Sequence, residues 1–192
     1  MWASAERLSP EPAVLAAAPI CALLRDKEGA ADILFERLAE RARRAGLRLA
    51  GALQRDEPPP GRRRCDMVLT DLASGLRTPI SRDRGDLAAG CRLDQGALTE
   101  AAERVERSIR DAPPDLVILN KFGKAEAELG GGMRDAIAAA LEAGIPVLIG
   151  VAPAYAPALR DFAGEMCVIA GDEDGVSHWL AARLDVSSGR RA

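Results

Sequence analysis

The 192-residue sequence has few aromatic residues, 3% of the total, and a single histidine, His178. Its four cysteines are scattered, without the CxxC or Cys/His spacing that structural zinc sites use. No apolar run approaches the roughly 20 residues that a membrane helix needs. A formal net charge of −3 argues against binding nucleic acid by bulk electrostatics. We therefore expect no zinc site, no membrane span and no nucleic-acid partner.

What the sequence does contain is typical of a globular protein, with 48% hydrophobic and 29% charged residues. We expect one domain over residues 19–185, with flexible tails at 1–18 and 186–192. The apolar stretch AVLAAAPICALL, residues 13–24, follows acidic and proline residues instead of a basic leader. This context indicates a buried strand in a cytoplasmic protein and disfavours a signal peptide.

Predicted strands and helices alternate along the chain, with Asp32 and Asp94 as expected N-caps of two helices. Strands are predicted over residues 19–24, 47–54, 116–119, 146–151 and 165–171, and helices over 33–45, 95–109, 133–143 and 175–184. A hairpin is predicted within residues 66–83. The alternation indicates an α/β fold of three layers, a mostly parallel sheet with helices on both faces and an inserted β-hairpin.

The turn after the first strand, LLRDKEGAAD, lies where a phosphate-binding loop would be but lacks the residues that bind phosphate and magnesium. Such a loop needs G-x-x-x-x-G-K-[ST], in which the lysine reaches the terminal phosphates and the hydroxyl holds magnesium. With Gly29 aligned to the second glycine, alanines occupy both of these positions. Arg25 or Lys27 could still contact an anion at the helix N-terminus. The alternative is an ordinary charged turn.

The step after the strand predicted at 116–119 is Asn120-Lys121, followed by the glycine-rich stretch FGKAEAELGGG. Nucleotide hydrolases usually carry a carboxylate here, which holds magnesium. An amide cannot balance a divalent cation, and an ammonium repels one. The pattern therefore favours direct binding of an anion without magnesium.

The positive charge for such a site would come from Lys121, Lys124 and Arg134, beside the loop at Gly123. The alternative is that the two lysines are solvated loop charges paired with Glu126 and Glu128.

A third candidate segment is SRDRGDLAAGCRLDQGAL, residues 81–98. Its arginines at positions 82, 84 and 92 could clamp an oxyanion bidentately near Asp94. Cys91 lies between a glycine and an arginine at a helix approach, a setting that would lower its pKa and make it a reactive or ligand-binding thiol. The alternative is a small buried residue in a tight turn. The candidate ligand contacts of this segment are Arg82, Arg84, Cys91, Arg92 and Asp94.

The segment DLVILNKFGKAEAELGGGMRDAIAAALEAGIPVLIGV resembles the cancer-related nucleoside-triphosphatase family. In that family a carboxylate pair follows the strand, and a turn of I-G-x-x-E type, a helix and G-x-P-V come next. AGALQ, DLASG, RDRG, GCRLD and NKFGKAEAE are similar to the bacterial family of domain of unknown function 2478, over roughly residues 19–170. The resemblance implies a fold like that of P-loop hydrolases without their standard catalytic motifs. Because some members are encoded near molybdenum-uptake or nitrogen-fixation functions, it also implies a role with molybdate or a related metabolite.

Three functions remain open from the sequence. The first is a non-hydrolysing protein that binds a nucleotide or oxyanion on a degenerate P-loop scaffold. The second is an NTPase or phosphotransferase that uses Lys121 with a carboxylate such as Asp71 or Asp94. The third is a homodimeric interaction module. The missing lysine, hydroxyl and metal-binding carboxylates weigh against the second function, and the glycine-rich loop beside lysines weighs mildly against the third.

Overall fold

The computed structural model describes residues 17–25, 30–58, 65–82 and 93–188. Its strands form a seven-stranded sheet in the order β4-β3-β2-β5-β6-β1-β7. The strands are β1 (Ile20–Leu24), β2 (Leu49–Glu57), β3 (Asp66–Asp71), β4 (Arg77–Pro79), β5 (Leu116–Phe122), β6 (Val147–Val151) and β7 (Cys167–Ala170). The helices are α1 (Ala30–Arg44), α2 (Gln95–Asp111), α3 (Lys124–Glu128), α4 (Arg134–Glu142), α5 (Ala156–Ala163) and α6 (Glu173–Ser188). Short 3-10 turns, Pro153–Tyr155 and Gly164–Met166, flank α5.

The five strands β2, β5, β6, β1 and β7 run parallel, and β3 and β4 form an antiparallel hairpin on β2. The first two strands are not neighbours, because β5 and β6 lie between them. The predicted class, a mostly parallel sheet with an inserted hairpin, is confirmed. Such a sheet places the carboxyl ends of its parallel strands at one edge, where α/β proteins bind ligands.

Helices cover both faces of the sheet, as predicted. On the α1 face, which α1 and α6 cover, Phe35, Leu38 and Trp179 pack against the strands. On the α2 face, which α2, α4 and α5 cover, Val105, Ile137 and other aliphatic side chains do the same. The small aliphatic composition suits this close packing of helix on sheet. None of the described helices is long and apolar enough to cross a membrane.

Three local predictions differ from the structure. Asp32 is not the N-cap of α1, because this helix already begins at Ala30 and Asp32 lies in its first turn. Strand β5 runs on through Asn120 and Lys121, which were expected in a loop. Part of the expected glycine-rich loop is helix α3. Asp94, in contrast, is the N-cap of α2 as predicted, and its side chain accepts a hydrogen bond from the backbone N–H of Ala97.

The thiols of β1 and β7 supply a test of this packing. Burial raises the pKa of Cys21 to about 12, to which the neighbouring Cys167 also contributes, and burial raises that of Cys167 to about 11. In a Cys91→Ser variant at pH 8, we therefore expect iodoacetamide to label the exposed Cys65 in the native protein and all three thiols after unfolding. The number of labelled thiols is followed over time by mass spectrometry of the intact protein. Native labelling of Cys21 as fast as that of Cys65 would contradict this packing.

Candidate functional site

The carboxyl ends of β1, β2, β5 and β6 meet at one edge of the sheet. The parallel register of these strands brings Arg25, Gln54, Asn120 and Val151 together there. The backbone N–H of Arg25 donates to the Val151 carbonyl at 2.8 Å, which ties the end of β1 to the end of β6. This edge is where the sequence placed its first two candidate segments.

The side chain of Asn120 is 1% exposed and fully hydrogen-bonded. Its Oδ1 accepts from the backbone N–H of Gln54, and its Nδ2 donates to the Gln54 carbonyl, both at 2.7 Å. The Nδ2 also donates to Asp32 Oδ1 at 2.7 Å. One donor and two acceptors face this amide, so its orientation is fixed by its partners. Asn120 thus joins β5 to β2 and to helix α1.

Arg25 extends the same network from the end of β1. Its Nη2 donates to Asp32 Oδ1 at 2.6 Å, and the side chains of this ion pair are only 14% and 25% exposed. The Arg25 side chain passes over Gly150, where a Cβ would lie 2.7 Å from Arg25 Cδ and would overlap the Asn120 carbonyl oxygen. Only glycine lets the arginine take this path. Arg25 Nε is buried and has no hydrogen-bond acceptor among the described residues.

The network at this edge contains one carboxylate and two side chains that donate N–H groups to it. The amide of Asn120 and the guanidinium of Arg25 both converge on the single carboxylate of Asp32. Within the described ranges there is no group of three or more His, Cys, Asp or Glu side chains that could hold a metal ion. The arrangement is chemically suited to contact an anion, because cationic and N–H groups dominate it.

Glu126 organises the segment after β5. It is 5% exposed, and its carboxylate accepts from the backbone N–H groups of Gly123 at 2.8 Å and Met133 at 3.0 Å. At Gly132, where φ is +63°, a Cβ would overlap Glu126 Oε1. A glycine is therefore required there to make room for the buried carboxylate. The glycine-rich stretch therefore has a structural role, and its glycines alone are not evidence for a bound ligand.

Lys121 lies near the end of β5, where the pairing with β6 is irregular between Leu119 and Phe122. Its ammonium has no hydrogen-bond or ion-pair partner within the described residues. Although Lys121 is exposed at the surface, the protein atoms around it limit its hydration. This burial is the main cause that lowers the pKa of Lys121 below its ordinary value of 10.5, and the nearby Arg25 guanidinium is the second.

Several acidic groups act on Lys121 in the opposite direction. The carboxylates of Asp56, Asp32 and Glu126 favour its charged form, but they do not cancel the effect of burial. Glu126 is already satisfied by backbone N–H groups, and Asp32 by Arg25 and Asn120. Glu126 and Asp32 thus form hydrogen bonds with other groups and none with Lys121.

The other predicted cations of this edge have partners. Lys124 Nζ lies 3.5 Å from Glu128 Oε2, an exposed pair one helical turn apart. This is the alternative that the sequence left open, and it holds for Lys124 but not for Lys121. Arg134 donates to the Glu126 carbonyl at 3.0 Å, and its guanidinium lies 4.3 Å from the centre of the Phe162 ring. Arg134 thus connects helices α3, α4 and α5.

Arg82 and Asp94 form a two-bond ion pair, with Arg82 Nε 3.0 Å from Asp94 Oδ2. The hydrogen bond raises the pKa of Arg82 and, with the bond from Ala97, lowers that of Asp94. Asp71 is buried in the β3–β4 turn, where its Oδ1 accepts from the backbone N–H groups of Ala73 and Ser74. Both carboxylates named for a catalytic alternative thus have structural partners.

The remaining predicted contacts lie outside the described residues. They are Lys27, Gly29, Arg84, Cys91 and Arg92. His178 is exposed on α6.

A cavity of about 420 Å³ opens beside Lys121 on the α2 face. Polar side chains line one part of it: Gln54, Asp56, Asn120, Lys121, Lys124 and Glu126. The rest is mostly apolar: Ala52, Cys65, Met67, Leu69, Ile80, Leu93, Leu98, Leu119, Gly123, Ala125 and Met133. Four of these positions, 120, 121, 123 and 124, were predicted from the sequence, whereas the cavity itself was not. A glutamate three residues after the N-cap position Gly123 is the acidic half of a capping box, and this spacing is the signal that could have identified Glu126.

A protein family described as "Protein of unknown function (DUF2478)" matches residues 20–179. The chain belongs to this family. The resemblance drawn from the motifs is thereby confirmed over most of the chain.

Two further proteins are similar to this family member. Over 132 residues it is 36% identical to "Molybdenum import ATP-binding protein ModC 2" of Bradyrhizobium diazoefficiens. That match covers 69% of this chain but only 14% of the relative, so the chain corresponds to a small part of that protein. The crystal structure of THEP1 from the hyperthermophile Aquifex aeolicus has a TM-score of 0.53 at 16% identity, and covers 79% of this chain and 87% of that one. This likeness confirms the predicted fold of the P-loop type.

An Asn120→Asp substitution tests the network directly. It would place a second carboxyl group against Asp32, whose Oδ1 is now 2.7 Å from the amide nitrogen, and would remove the donor to the Gln54 carbonyl. We expect a loss of about 2 to 3 kcal/mol in the free energy of unfolding at pH 7.5, measured with urea. Repulsion raises the folded-state pKa of the introduced carboxyl, so the loss should be smaller near pH 4.5 and grow as pH rises.

A double-variant cycle with Asp32→Asn provides the control. If the two carboxyls repel, the double variant loses less stability than the sum of the single losses. Additive losses, or an Asn120→Asp variant as stable as the parent at pH 7.5, would show that the amide does not hold this edge together.

Proposed function

We propose that this protein binds a small anionic ligand, a nucleotide or an oxyanion, at the carboxyl edge of its sheet and does not hydrolyse it. The observation that carries the proposal is Lys121, an ammonium without an ion-pair partner among the described residues, on the wall of a cavity at this edge. Ligand binding at the carboxyl ends of parallel strands is the general behaviour of such sheets. The protein would act in the cytoplasm, and a homodimer is compatible with this activity.

The comparisons support the choice of ligand. The Bradyrhizobium relative is named for ATP binding and molybdenum import, and this chain matches 14% of its length. Nucleotides and molybdate are therefore the first ligands to examine.

The absence of hydrolysis is inferred from the network around Asn120. Hydrolysis of a nucleotide needs a metal ion and a group that positions water. Here Asn120 and Arg25 are engaged with Asp32, and an amide and a guanidinium do not attract a divalent cation. The ligand would thus be held by Lys121, Lys124 and backbone N–H groups, without magnesium.

Titration calorimetry in EDTA tests the binding, with ATP, GTP, phosphate, sulfate, molybdate and tungstate as ligands. We expect at least one of them to bind in EDTA, and Lys121→Ala to weaken it by about 10- to 100-fold, since a hydrogen bond to a charged group contributes about 1.5 to 3 kcal/mol. Lys124→Ala should cost less, because Lys124 already has a partner in Glu128. Arg110→Ala is the matched control, an exposed arginine at the far end of α2 that pairs with Glu106.

The outcomes separate the functions that the sequence left open. Binding that requires Mg²⁺, with phosphate release from ATP or GTP above that of Lys121→Ala, would contradict the proposal and favour an enzyme. No binding of any of these anions, together with a dimeric mass in light scattering, would favour an interaction module.

The dependence of binding on pH follows from the lowered pKa of Lys121. Because its folded-state pKa lies below 10.5, Lys121 loses its positive charge at a lower pH than an ordinary lysine does. We expect the affinity for the anion to fall at a pH below 10.5 and a Lys121→Arg variant to keep its affinity there, because an arginine stays charged. Dissociation constants measured from pH 7.5 to 10.5 check this. The same fall in Lys121→Arg would assign the titration to another group.

A further inference from the structure

The two ligand classes of the proposed function differ in what they demand of a site. A bare oxyanion is held by hydrogen-bond donors on all sides, whereas an organic anion needs donors for its charged end and an apolar surface for its body. The cavity beside Lys121 supplies the second kind of site.

The size and lining of the cavity are the first argument. Its volume of about 420 Å³ falls within the roughly 300 to 1,000 Å³ of sites for small organic ligands. Its floor is formed by side chains from β2, β3 and α2, among them Ala52, Met67, Leu69 and Leu98. These groups offer no hydrogen bonds to an oxyanion. A desolvated apolar wall instead favours an aromatic or aliphatic group.

The distribution of charge is the second argument. Lys121 lies on the wall of the cavity, with Gly123 against its side chain, where a Cβ would be 3.6 Å from Lys121 Cε. Gln54 and Asp56 line the cavity from β2, where Gln54 Nε2 donates to Asp56 Oδ1 at 3.4 Å and the two residues lie beside Leu69 and Met67 of β3. The lining of the cavity thus combines a cation, acceptor oxygens and apolar groups.

We infer that the ligand is an organic anion, whose negative group contacts Lys121 and whose aromatic or aliphatic body fills the apolar cavity between β2, β3 and α2. This inference rests on the proposed function and decides between its two ligand classes: an organic phosphate or carboxylate, such as a nucleotide, fits the cavity, and a bare oxyanion such as molybdate does not. The acceptor oxygens of Gln54 and Asp56 suit a body that carries N–H or O–H donors.

Three probes that differ in one feature each test the inference by calorimetry in EDTA: inorganic phosphate, 1-naphthyl phosphate and 1-naphthol. We expect 1-naphthyl phosphate to bind at least about tenfold more tightly than inorganic phosphate, because its rings leave water for an apolar cavity. It should also bind more tightly than 1-naphthol, which lacks the charge. Lys121→Ala should weaken both phosphates.

Ala52→Leu places three additional carbons in the cavity floor. It should remove the advantage of 1-naphthyl phosphate over inorganic phosphate, and it should raise the melting temperature of the free protein, because filling a cavity stabilises a fold. Ala50→Leu is the matched control for stability. Ala50 lies on the same strand and packs in the same core but does not line the cavity, so the larger residue should be destabilising there.

Met67→Gln provides a second variant that keeps the size of the side chain. Met67 is only partly buried, so the fold should tolerate the change, and the polar amide should reduce the advantage of 1-naphthyl phosphate several-fold with little effect on inorganic phosphate.

Each outcome decides something. Equal affinities for the two phosphates in the parent protein would overturn the inference and leave the proposed function standing. An advantage for 1-naphthyl phosphate that survives both Ala52→Leu and Met67→Gln would show that its body lies outside this cavity, and equally tight binding of 1-naphthol would overturn the role of the negative group. If neither these anions nor ATP binds, the proposed function itself fails.

Discussion

The amide of Asn120 is the interaction on which the carboxyl edge of the sheet depends. It bonds both backbone groups of Gln54 and the carboxylate of Asp32, and so it joins two strands to helix α1. Breaking a buried bond of this kind leaves polar groups unsatisfied, at a cost of about 1 to 3 kcal/mol each. The next residue, Lys121, lines the cavity beside this network. The same network therefore engages the carboxylate of Asp32 and lies beside the lysine that lines the cavity.

The buried carboxylate of Glu126 imposes the second constraint. It holds the backbone at Gly123 and Met133, and it needs the space that the missing Cβ of Gly132 leaves. The chain after β5 is thus folded back around a side chain of its own. Gly132 leaves room for this carboxylate. The cation available to a ligand is Lys121, which lies just before this segment.

The fold could be predicted from the sequence because alternating apolar strands and amphipathic helices encode it directly. Asp94 was also predictable, since its side chain caps a helix that begins at the next residue. Asp32 was misassigned because the same side chain serves a longer-range role: it accepts from Arg25 and from Asn120, which is 88 positions away. The pairing of Arg82 with Asp94 and the cavity beside Lys121 likewise depend on contacts between distant segments, which no local pattern reports.

The central claim is that an anion is bound by Lys121 while the amide of Asn120 stays engaged, without a metal ion. A crystal structure of the protein grown in EDTA with ATP or 1-naphthyl phosphate tests it most directly. The account predicts a phosphate oxygen within hydrogen-bond distance of Lys121 Nζ, with Asn120 still bonded to Gln54 and Asp32 as it is here. A ligand bound away from Lys121, or one seen only with Mg²⁺ and a broken Asn120 network, would contradict the account.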